Sequence, residues 1–382
     1  MYFFVHSSQP PEAISGICVI KPNASPVSSP MEKLILMEIP KILCMERLYI
    51  SKPISVGLIL SYKCTNKCKH CMYACSPEWE TDWPTIGDVE RILTKISSSI
   101  MPSPKGPEHI GINYGLHFTG GEPFLNFDLL LDSIRIAEKL KIPSTFVETN
   151  CFWCVEDDKT RNKLKALKEA GLKGILISVN PFLIEHVPFE RIERAVRISN
   201  EVFGEDVIVY QGIYYNHFKK IGISGTLAFN QYLKKYDWTL YYSELLPMGR
   251  ACYGLKHLFV RHPAKDFFNE SCVSEITRNW HVHVDNYFNY MTGYCSGISL
   301  GDVRNLDVMI KEGISLEDKP ILRTLVTRIG NLYELAVKEF NYKEDEDGYI
   351  SKCHLCIDIR RHIVQQTHEF KELQPMEFYY SL

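Results

Sequence analysis

The sequence lacks any long apolar run and any excess of charge of one sign. None of its apolar stretches approaches the ~18 residues that a membrane-spanning helix needs. Its 43 Lys and Arg residues face 46 Asp and Glu residues, for a net charge of −3. Nucleic acids and anionic membranes are bound through basic surfaces, so we expect neither partner and favour a small or neutral substrate. Residues 1–5 are apolar with no basic residue before them, so we expect no signal peptide and a cytoplasmic location.

The composition divides the chain into three parts. With 382 residues, 45% of them hydrophobic, it is long enough for one large domain or two. Residues 7–30 hold five prolines and many serines, so we expect 1–50 to be an irregular leader. A regular pattern fills 51–251 and changes afterwards, which predicts a core domain over 51–251 and a C-terminal domain over 252–382.

Short β-branched or aromatic runs alternate with helical patterns through the core. The predicted strands are residues 54–60, 116–119, 145–149, 175–179, 207–215 and 240–246. The predicted helices between them include residues 89–100, 129–140, 159–170 and 189–202. Six such repeats predict an α/β fold with a parallel sheet, a partial (β/α)6 TIM-like barrel. Beyond it, residues 279–290 alternate like a β-hairpin and helical patterns cover 319–340 and 357–369, as in a smaller α+β domain.

Three of the thirteen cysteines follow the first predicted strand with three and then two residues between them: Cys64, Cys68 and Cys71. Thiolates are the ligands of iron–sulfur clusters, and three of them leave one iron of a cubane open. A zinc site, or buried cysteines without a ligand, would fit the same three residues. With Cys75 as a fourth ligand, the cluster would be saturated and the protein a non-enzymatic electron carrier. The interleaved lysines are expected to lower the pKa of the thiols: Lys63, Lys67 and Lys69.

This CxxxCxxC loop, placed after the first strand of a strand–helix array, resembles the radical S-adenosylmethionine (radical SAM) superfamily. A second motif, Gly120-Gly121-Glu122-Pro123, follows the second strand and resembles the superfamily's GGEP segment, which binds the methionine amino group. Glycines let a backbone approach a ligand closely, and a carboxylate pairs with an ammonium group. The resemblance covers roughly residues 51–251.

The resemblance implies further cofactor-binding residues at the ends of later strands. His70 takes the place of an aromatic residue against adenine, and Met248 lies in a segment that borders it. Glu148, Asn150 and Ser178 stand at the levels that contact ribose and the methionine carboxylate. Each of these residues could instead simply end a strand.

The resemblance also implies a chemistry. A 4Fe-4S cluster reduces S-adenosylmethionine to methionine and a 5′-deoxyadenosyl radical, which abstracts a substrate hydrogen. We expect a peptide or protein side chain as substrate, with a small molecule such as a sugar or cofactor precursor as the alternative. An electron donor such as flavodoxin or ferredoxin is expected as a partner.

The C-terminal third contains more cysteines, in an arrangement similar to the SPASM and twitch extensions of this superfamily. Four of them are candidate ligands of an auxiliary 4Fe-4S cluster or of zinc: Cys272, Cys295, Cys353 and Cys356. The full SPASM pattern needs more cysteines than the five present here, so two auxiliary clusters are not expected.

Two further groups admit a functional interpretation. His281, His283 and Asp285 share one face of the predicted hairpin, where they could bind a metal or simply line a half-buried sheet. Cys151 follows the third strand and is a candidate hydrogen-atom donor to a substrate radical, although a buried cysteine needs no such role.

Overall fold

The computed structural model describes residues 46–80 and 82–382. Almost all of the predicted leader therefore lies outside the described residues. Met45–Leu382 forms one compact unit. No helix in the described ranges is long and apolar enough to cross a membrane.

The strands form one large mixed sheet and one small antiparallel pair. They are β1 (Arg47–Leu48), β2 (Ser55–Ile59), β3 (Gly115–Thr119), β4 (Phe146–Thr149), β5 (Gly174–Ser178), β6 (Val207–Tyr210), β7 (Val282–Asp285), β8 (Asn289–Met291), β9 (Gly301–Asp302) and β10 (Ile314–Ser315). The large sheet has the order β6-β5-β4-β3-β2-β7-β8-β9, and β1 pairs with β10. Strands β2 to β7 are mutually parallel, whereas β8 and β9 run antiparallel to their neighbours.

Helices follow the strands of the core and fill the C-terminal third. They are α1 (Ile86–Ser97), α2 (Phe127–Lys139), α3 (Asp157–Glu169), α4 (Phe189–Phe203), α5 (Gly212–Lys220), α6 (Phe229–Tyr236), α7 (Ala251–Gly254), α8 (Val273–Ile276), α9 (Leu306–Glu312), α10 (Pro320–Thr327), α11 (Ile329–Phe340), α12 (Lys352–Val364) and α13 (Glu377–Tyr380). Their local signals are ordinary ones: α1, for example, begins at a reciprocal cap between Thr85 and Asp88 and buries Val89, Ile92 and Ile96 against the sheet.

The parallel α/β fold is confirmed, and the first five predicted strands correspond to β2 to β6. The fifth is shorter than predicted: β6 ends at Tyr210, and residues 212–215 lie in α5. The sixth, over residues 240–246, is wrong, because the chain forms a 3-10 turn at Asp237–Tyr242. Tyrosine side chains, and no neighbouring strand, hold this segment: the hydroxyl of Tyr214 donates to the Thr239 carbonyl, and that of Tyr232 contacts the Thr239 hydroxyl. Tyr241 lies within the predicted strand, yet its side chain is 89% exposed and is not packed against a sheet.

The predicted hairpin is present as β7 and β8, but it joins the core sheet. Strand β7 pairs in parallel with β2, so that Gly57 stands between His117 on one side and His283 on the other. Because the carboxyl ends of parallel strands meet at one edge of a sheet, the segments that follow β2 to β5 are brought together there.

Candidate active site

A cavity of about 480 Å³ lies at the carboxyl ends of the parallel strands. Twelve of the residues singled out from the sequence line it: Cys64, Cys68, Cys71, Cys75, His70, Gly120, Gly121, Glu148, Asn150, Ser178, His281 and His283. The remaining wall includes Tyr73, Tyr210 and Glu244. Cysteines, glycines and strand-end polar groups therefore share one concave surface, as ligand sites of α/β proteins do.

The thiols of this cavity differ in their electrostatic surroundings. Burial, and then the charge of Glu122, raises the pKa of Cys64 to about 12. Burial also raises the pKa of Cys68 well above its ordinary value. A hydrogen bond from the Cys75 thiol lowers the pKa of Cys71 to about 6. Cys64 and Cys68 are thus protonated at neutral pH unless a cation takes the place of their protons.

The expectation that lysines lower these pKa values is wrong, because the lysines have other partners. Lys63 donates to the carbonyls of Pro77 and Trp79 at 2.6 and 2.7 Å. The other two form ion pairs, Lys67 with Glu78 and Lys69 with Glu185.

Arg250 is the cation that acts on the cysteine loop, here defined as residues 61–76. Its buried guanidinium donates to the carbonyls of Cys68 at 2.9 Å, Ala74 at 2.5 Å and Cys75 at 3.1 Å. Its backbone N–H donates to the Cys71 carbonyl at 3.0 Å. One residue therefore fixes the loop at four points, and its charge favours the thiolate forms of Cys68 and Cys71.

The two glycines after β3 pack directly on the start of the cysteine loop. The Gly121 N–H donates to the Ser61 carbonyl at 2.8 Å, and the N–H of Glu122 donates to the Lys63 carbonyl at 3.0 Å. A Cβ at Gly121 would overlap the Lys63 carbonyl group, and Gly120 has a φ of +131°, which favours glycine.

The carboxylate of Glu122 points into the protein. It accepts hydrogen bonds from the Asn150 N–H at 2.7 Å and from the Thr149 hydroxyl at 3.0 Å, and burial raises its pKa to about 7. Pro123 begins the 3-10 turn Pro123–Asn126. Neither residue lines the cavity, so Glu122 acts on the site by holding Asn150. The Asn150 amide in turn donates to the Thr65 hydroxyl at 3.0 Å and lies 3.6 Å from the Cys64 Sγ.

His70 offers a flat, uncharged ring to the cavity. It stacks on Phe182 with centroids 4.6 Å apart, and the Asn180 amide lies 3.3 Å from its Nε2. Burial lowers its pKa to about 4, so the imidazole is neutral at physiological pH. This arrangement suits stacking against a heteroaromatic ring.

The comparisons with known proteins agree with this geometry. Residues 58–209 match the family model described as Radical SAM superfamily. This segment of the chain is a radical SAM domain. The superfamily's cofactors are a 4Fe-4S cluster and S-adenosylmethionine (SAM). Three thiols of one loop on a cavity wall, beside two glycines whose backbone packs against that loop and lines the same cavity, are a donor set that fits both.

A curated relative, GTP 3′,8-cyclase of Limosilactobacillus fermentum, is 26% identical over 215 residues. The match covers 54% of this chain and 58% of the relative, so the chain spans little more than half of that protein's length. Among solved structures, anSMEcpe with bound AdoMet and Cp18Cys peptide is 12% identical at a TM-score of 0.38, covering 80% of this chain and 95% of that one. BtrN in complex with AdoMet and 2-DOIA is also 12% identical at a TM-score of 0.38, covering 76% and 91%. At these scores the structural similarities carry no detail of the site.

Two candidate residues of this radical SAM protein lie away from the cavity wall. Met248 does not line it, whereas Leu246 does, because Gly249, at a φ of +57°, packs its backbone on Met72. Cys151 is fully buried behind Thr149, whose hydroxyl accepts its N–H at 3.0 Å. The structure gives the Cys151 thiol no contact with the cavity, so it offers no support for a hydrogen-donor role.

The four C-terminal cysteines come together from three elements. Cys272 precedes α8, Cys295 follows β8, and Cys353 and Cys356 lie in the first turn of α12. Burial raises the pKa of Cys295 to about 11 and that of Cys353 to about 12, and the charge of Cys356 contributes at both. The buried Arg360 donates to the Ser296 carbonyl at 3.0 Å and places its positive charge beside these thiols. Because burial outweighs the charge of Arg360, Cys295 and Cys353 are protonated at neutral pH unless a metal ion takes the place of their protons.

Sequence reasoning missed Arg250 and His117. The segment around Met248 predicts a border of the adenine site, and no local signal shows that Arg250, two residues further on, reaches back to residues 68–75. His117 lies two residues before Thr119 on β3, so strand alternation places both on one face. The alternation of side chains along β3 could therefore have identified His117 as a candidate site residue.

Proposed function

We propose that this protein is an enzyme that reductively cleaves SAM and abstracts a hydrogen atom from a substrate bound in the cavity. The observation that carries the proposal is the gathering of Cys64, Cys68 and Cys71 with Gly120 and Gly121 on one cavity wall. A saturated electron carrier is disfavoured, because it would leave the glycines and the strand-end polar groups of this cavity without a use.

Different residues of the cavity wall would hold the cluster and SAM. Cys64, Cys68 and Cys71 would hold the cluster, and the backbone at Gly120 and Gly121 would lie against SAM. When bound, the two groups supply one-electron cleavage that yields methionine and a 5′-deoxyadenosyl radical.

The chain's own side chains orient these groups and exclude water. His70 presents a neutral ring for stacking, and Asn150 and Ser178 present hydrogen-bonding groups at the ends of β4 and β5. Arg250 keeps the cysteine loop in place through its carbonyls. A preorganised, enclosed site of this kind limits side reactions of a radical.

The substrate side of the cavity carries two carboxylates and three phenols. Glu148 accepts a hydrogen bond from the Thr119 hydroxyl at 2.6 Å, and Glu244 accepts one from Tyr210. Tyr73 and Tyr294 complete this part of the wall. Hydrogen-bond donors or a positive group on the substrate would find partners here.

A peptide or protein side chain is the substrate class that we favour. A cavity of about 480 Å³ that must also hold SAM leaves room for the reacting part of a larger molecule, such as one side chain. The four gathered C-terminal thiols also support an extension with an auxiliary cluster, which accompanies peptide modification in the families that this region resembles.

A small-molecule substrate is the second candidate. It is favoured by the relative named GTP 3′,8-cyclase, whose name describes a reaction of a nucleotide. For either substrate, a flavodoxin or ferredoxin would supply the electron.

Isotope transfer separates the two candidates. The reconstituted enzyme is incubated anaerobically with SAM, a reductant and material from deuterium-grown cells of the organism that encodes it, divided into a peptide and protein fraction and a small-molecule filtrate. We expect deuterium in the 5′-deoxyadenosine formed with the first fraction. Deuterium from the filtrate alone would establish the second candidate, and none from either fraction would contradict hydrogen abstraction from a cellular substrate. The Cys64/Cys68/Cys71→Ala variant is the control.

A further inference from the structure

Three histidines from two strands and the segment before β7 meet at the inner wall of the cavity, and none of them belongs to the cysteine loop. Single ring nitrogens of His117, His281 and His283 all lie within 4.8 Å of one another. His117 is fully buried on β3 and His283 is 3% exposed on β7, while His281 and His283 also face the cavity. The proposed radical chemistry uses none of them.

From this geometry we propose that His117, His281 and His283 bind a first-row divalent transition-metal ion, with a remaining coordination position open to the cavity. The inference goes beyond the proposed function and does not depend on the iron–sulfur cluster. Imidazole nitrogens suit zinc and its neighbours in the first transition row, and sites with three protein ligands keep a position for water or substrate.

The spacing of one pair of nitrogens matches such a site. The Nε2 atoms of His117 and His283 lie 3.4 Å apart. Metal–nitrogen bonds of about 2.0–2.1 Å in tetrahedral geometry place ligand nitrogens about 3.3–3.4 Å from each other.

A glycine on β2 leaves room for His117 and His283 to approach each other. Gly57 on β2 stands between His117 and His283 in the sheet register. A Cβ at Gly57 would overlap both imidazole rings. The absence of a side chain there lets two histidines from the flanking strands meet across β2.

A hydrogen-bond chain fixes the tautomer of His283 in the form that a metal requires. The Tyr73 hydroxyl donates its single proton to the Gly293 carbonyl at 2.9 Å and lies 2.7 Å from the His283 Nδ1. The hydroxyl must therefore accept from Nδ1–H, which leaves the Nε2 lone pair directed at His117. Metal-binding histidines commonly have such an outer partner.

The surroundings favour neutral rings and supply a compensating charge. Burial lowers the pKa of His117 to about 3 and that of His281 to about 4. The Nδ1 of His281 is buried and has no hydrogen-bond partner among the residues that the structure describes. The Glu148 Oε1 atom lies 3.8 Å from the His117 Nε2. The negative charge of Glu148 raises the pKa of His281 more than the positive charge of Arg278 lowers it. Asp285, which the sequence grouped with the histidines, instead accepts from Tyr62 at 2.9 Å.

Cobalt is the probe that separates this site from the thiols. The full chain, stripped of metal under anaerobic conditions, is titrated with Co²⁺ and then with competing Zn²⁺, and bound metal is counted by mass spectrometry. Thiolate-bound cobalt shows sulfur-to-metal charge transfer, whereas a histidine site shows ligand-field bands without it. We expect one equivalent of the second kind, absent in His281→Gln and His283→Gln.

Matched variants test the assignment. His217→Gln replaces a half-buried histidine among Tyr232, Tyr236 and Trp238, outside the cavity, and should retain the full equivalent. Tyr73→Phe removes the outer hydrogen bond and should weaken the site about 10- to 100-fold. If the His283→Gln protein fails to fold, the test rests on His281→Gln, because His281 is only half-buried. Ligand-field bands that are missing in the wild type, or that survive in folded His281→Gln, would overturn the proposal in favour of a metal-free, hydrogen-bonded cluster.

Discussion

At the scale of single residues, the cysteine loop is held by a side chain that lies far from it in sequence. Arg250→Lys keeps the charge but cannot donate to the carbonyls of Cys68, Ala74 and Cys75 together. We expect it to lower the free energy of unfolding by about 1–3 kcal/mol, the cost of buried carbonyls without partners, and to reduce the iron retained after reconstitution. Thermal denaturation and iron analysis measure the two effects.

Arg135→Lys is the matched control, because Arg135 forms an exposed pair with Asp132. It should change stability by less than about 1 kcal/mol and leave the iron content unchanged. Equal effects of the two variants would contradict the role given to Arg250.

Glu372 gives a pH-dependent prediction away from the cavity. Burial raises its pKa above the ordinary value, although it accepts the Ile321 N–H at 2.9 Å. Because the unfolded chain ionises this carboxyl first, stability falls as the pH rises above about 4.3 and through the raised pKa. Glu372→Gln should remove that fall. The melting temperature of the variant should therefore increase relative to that of the wild type as the pH rises from acidic to neutral. A difference that stays constant with pH would contradict the assignment.

Motif residues could be read from the sequence at this scale, but the directions of their side chains could not. The glycines and cysteines predicted for the site do line the cavity. The Glu122 carboxylate turns inward because β4 brings Thr149 and Asn150 against it, and no pattern near residue 122 contains that contact.

At the scale of elements, the turn after β3 and the loop after β2 form one unit. Gly121→Ala would place a Cβ against the Lys63 carbonyl, and a backbone group cannot move aside cheaply. We expect a loss of about 1–3 kcal/mol in the free energy of unfolding and a weaker hold on iron. Chemical denaturation checks the first effect and metal analysis the second.

Gly87→Ala, in the first turn of α1, is the control because its nearest side-chain atom is 3.8 Å away. It should be neutral or stabilising by up to ~1 kcal/mol. A Gly121→Ala protein as stable as this control would show that the two segments do not depend on each other.

The elements that sequence patterns predicted are the buried ones. Strands β2 and β3 are fully buried, so their continuous apolar runs mark them. Residues 240–246 carry an apolar, aromatic run without a strand. Their first residues lie in the 3-10 turn Asp237–Tyr242, in which two tyrosine hydroxyls contact Thr239. The pairing of β7 with β2 is a contact between distant segments, and alternation alone could not assign it a neighbour.

At the scale of the whole molecule, two groups of thiols are separate. We predict that the Cys64/Cys68/Cys71→Ala variant retains about four irons per chain on Cys272, Cys295, Cys353 and Cys356, the content of one cubane. Anaerobic iron, sulfide and zinc analysis provides the measurement, with a Cys272/Cys353→Ala variant as its counterpart. Zinc in place of iron, or no metal, would contradict an auxiliary cluster.

The central claim is that the cavity cleaves SAM. The most direct test is anaerobic formation of 5′-deoxyadenosine from SAM by the reconstituted, reduced protein, followed by mass spectrometry beside the Cys64/Cys68/Cys71→Ala variant. We predict product from the wild type and none above background from the variant. A wild type with an intact cluster that forms no 5′-deoxyadenosine, or a variant that forms as much, would contradict the account.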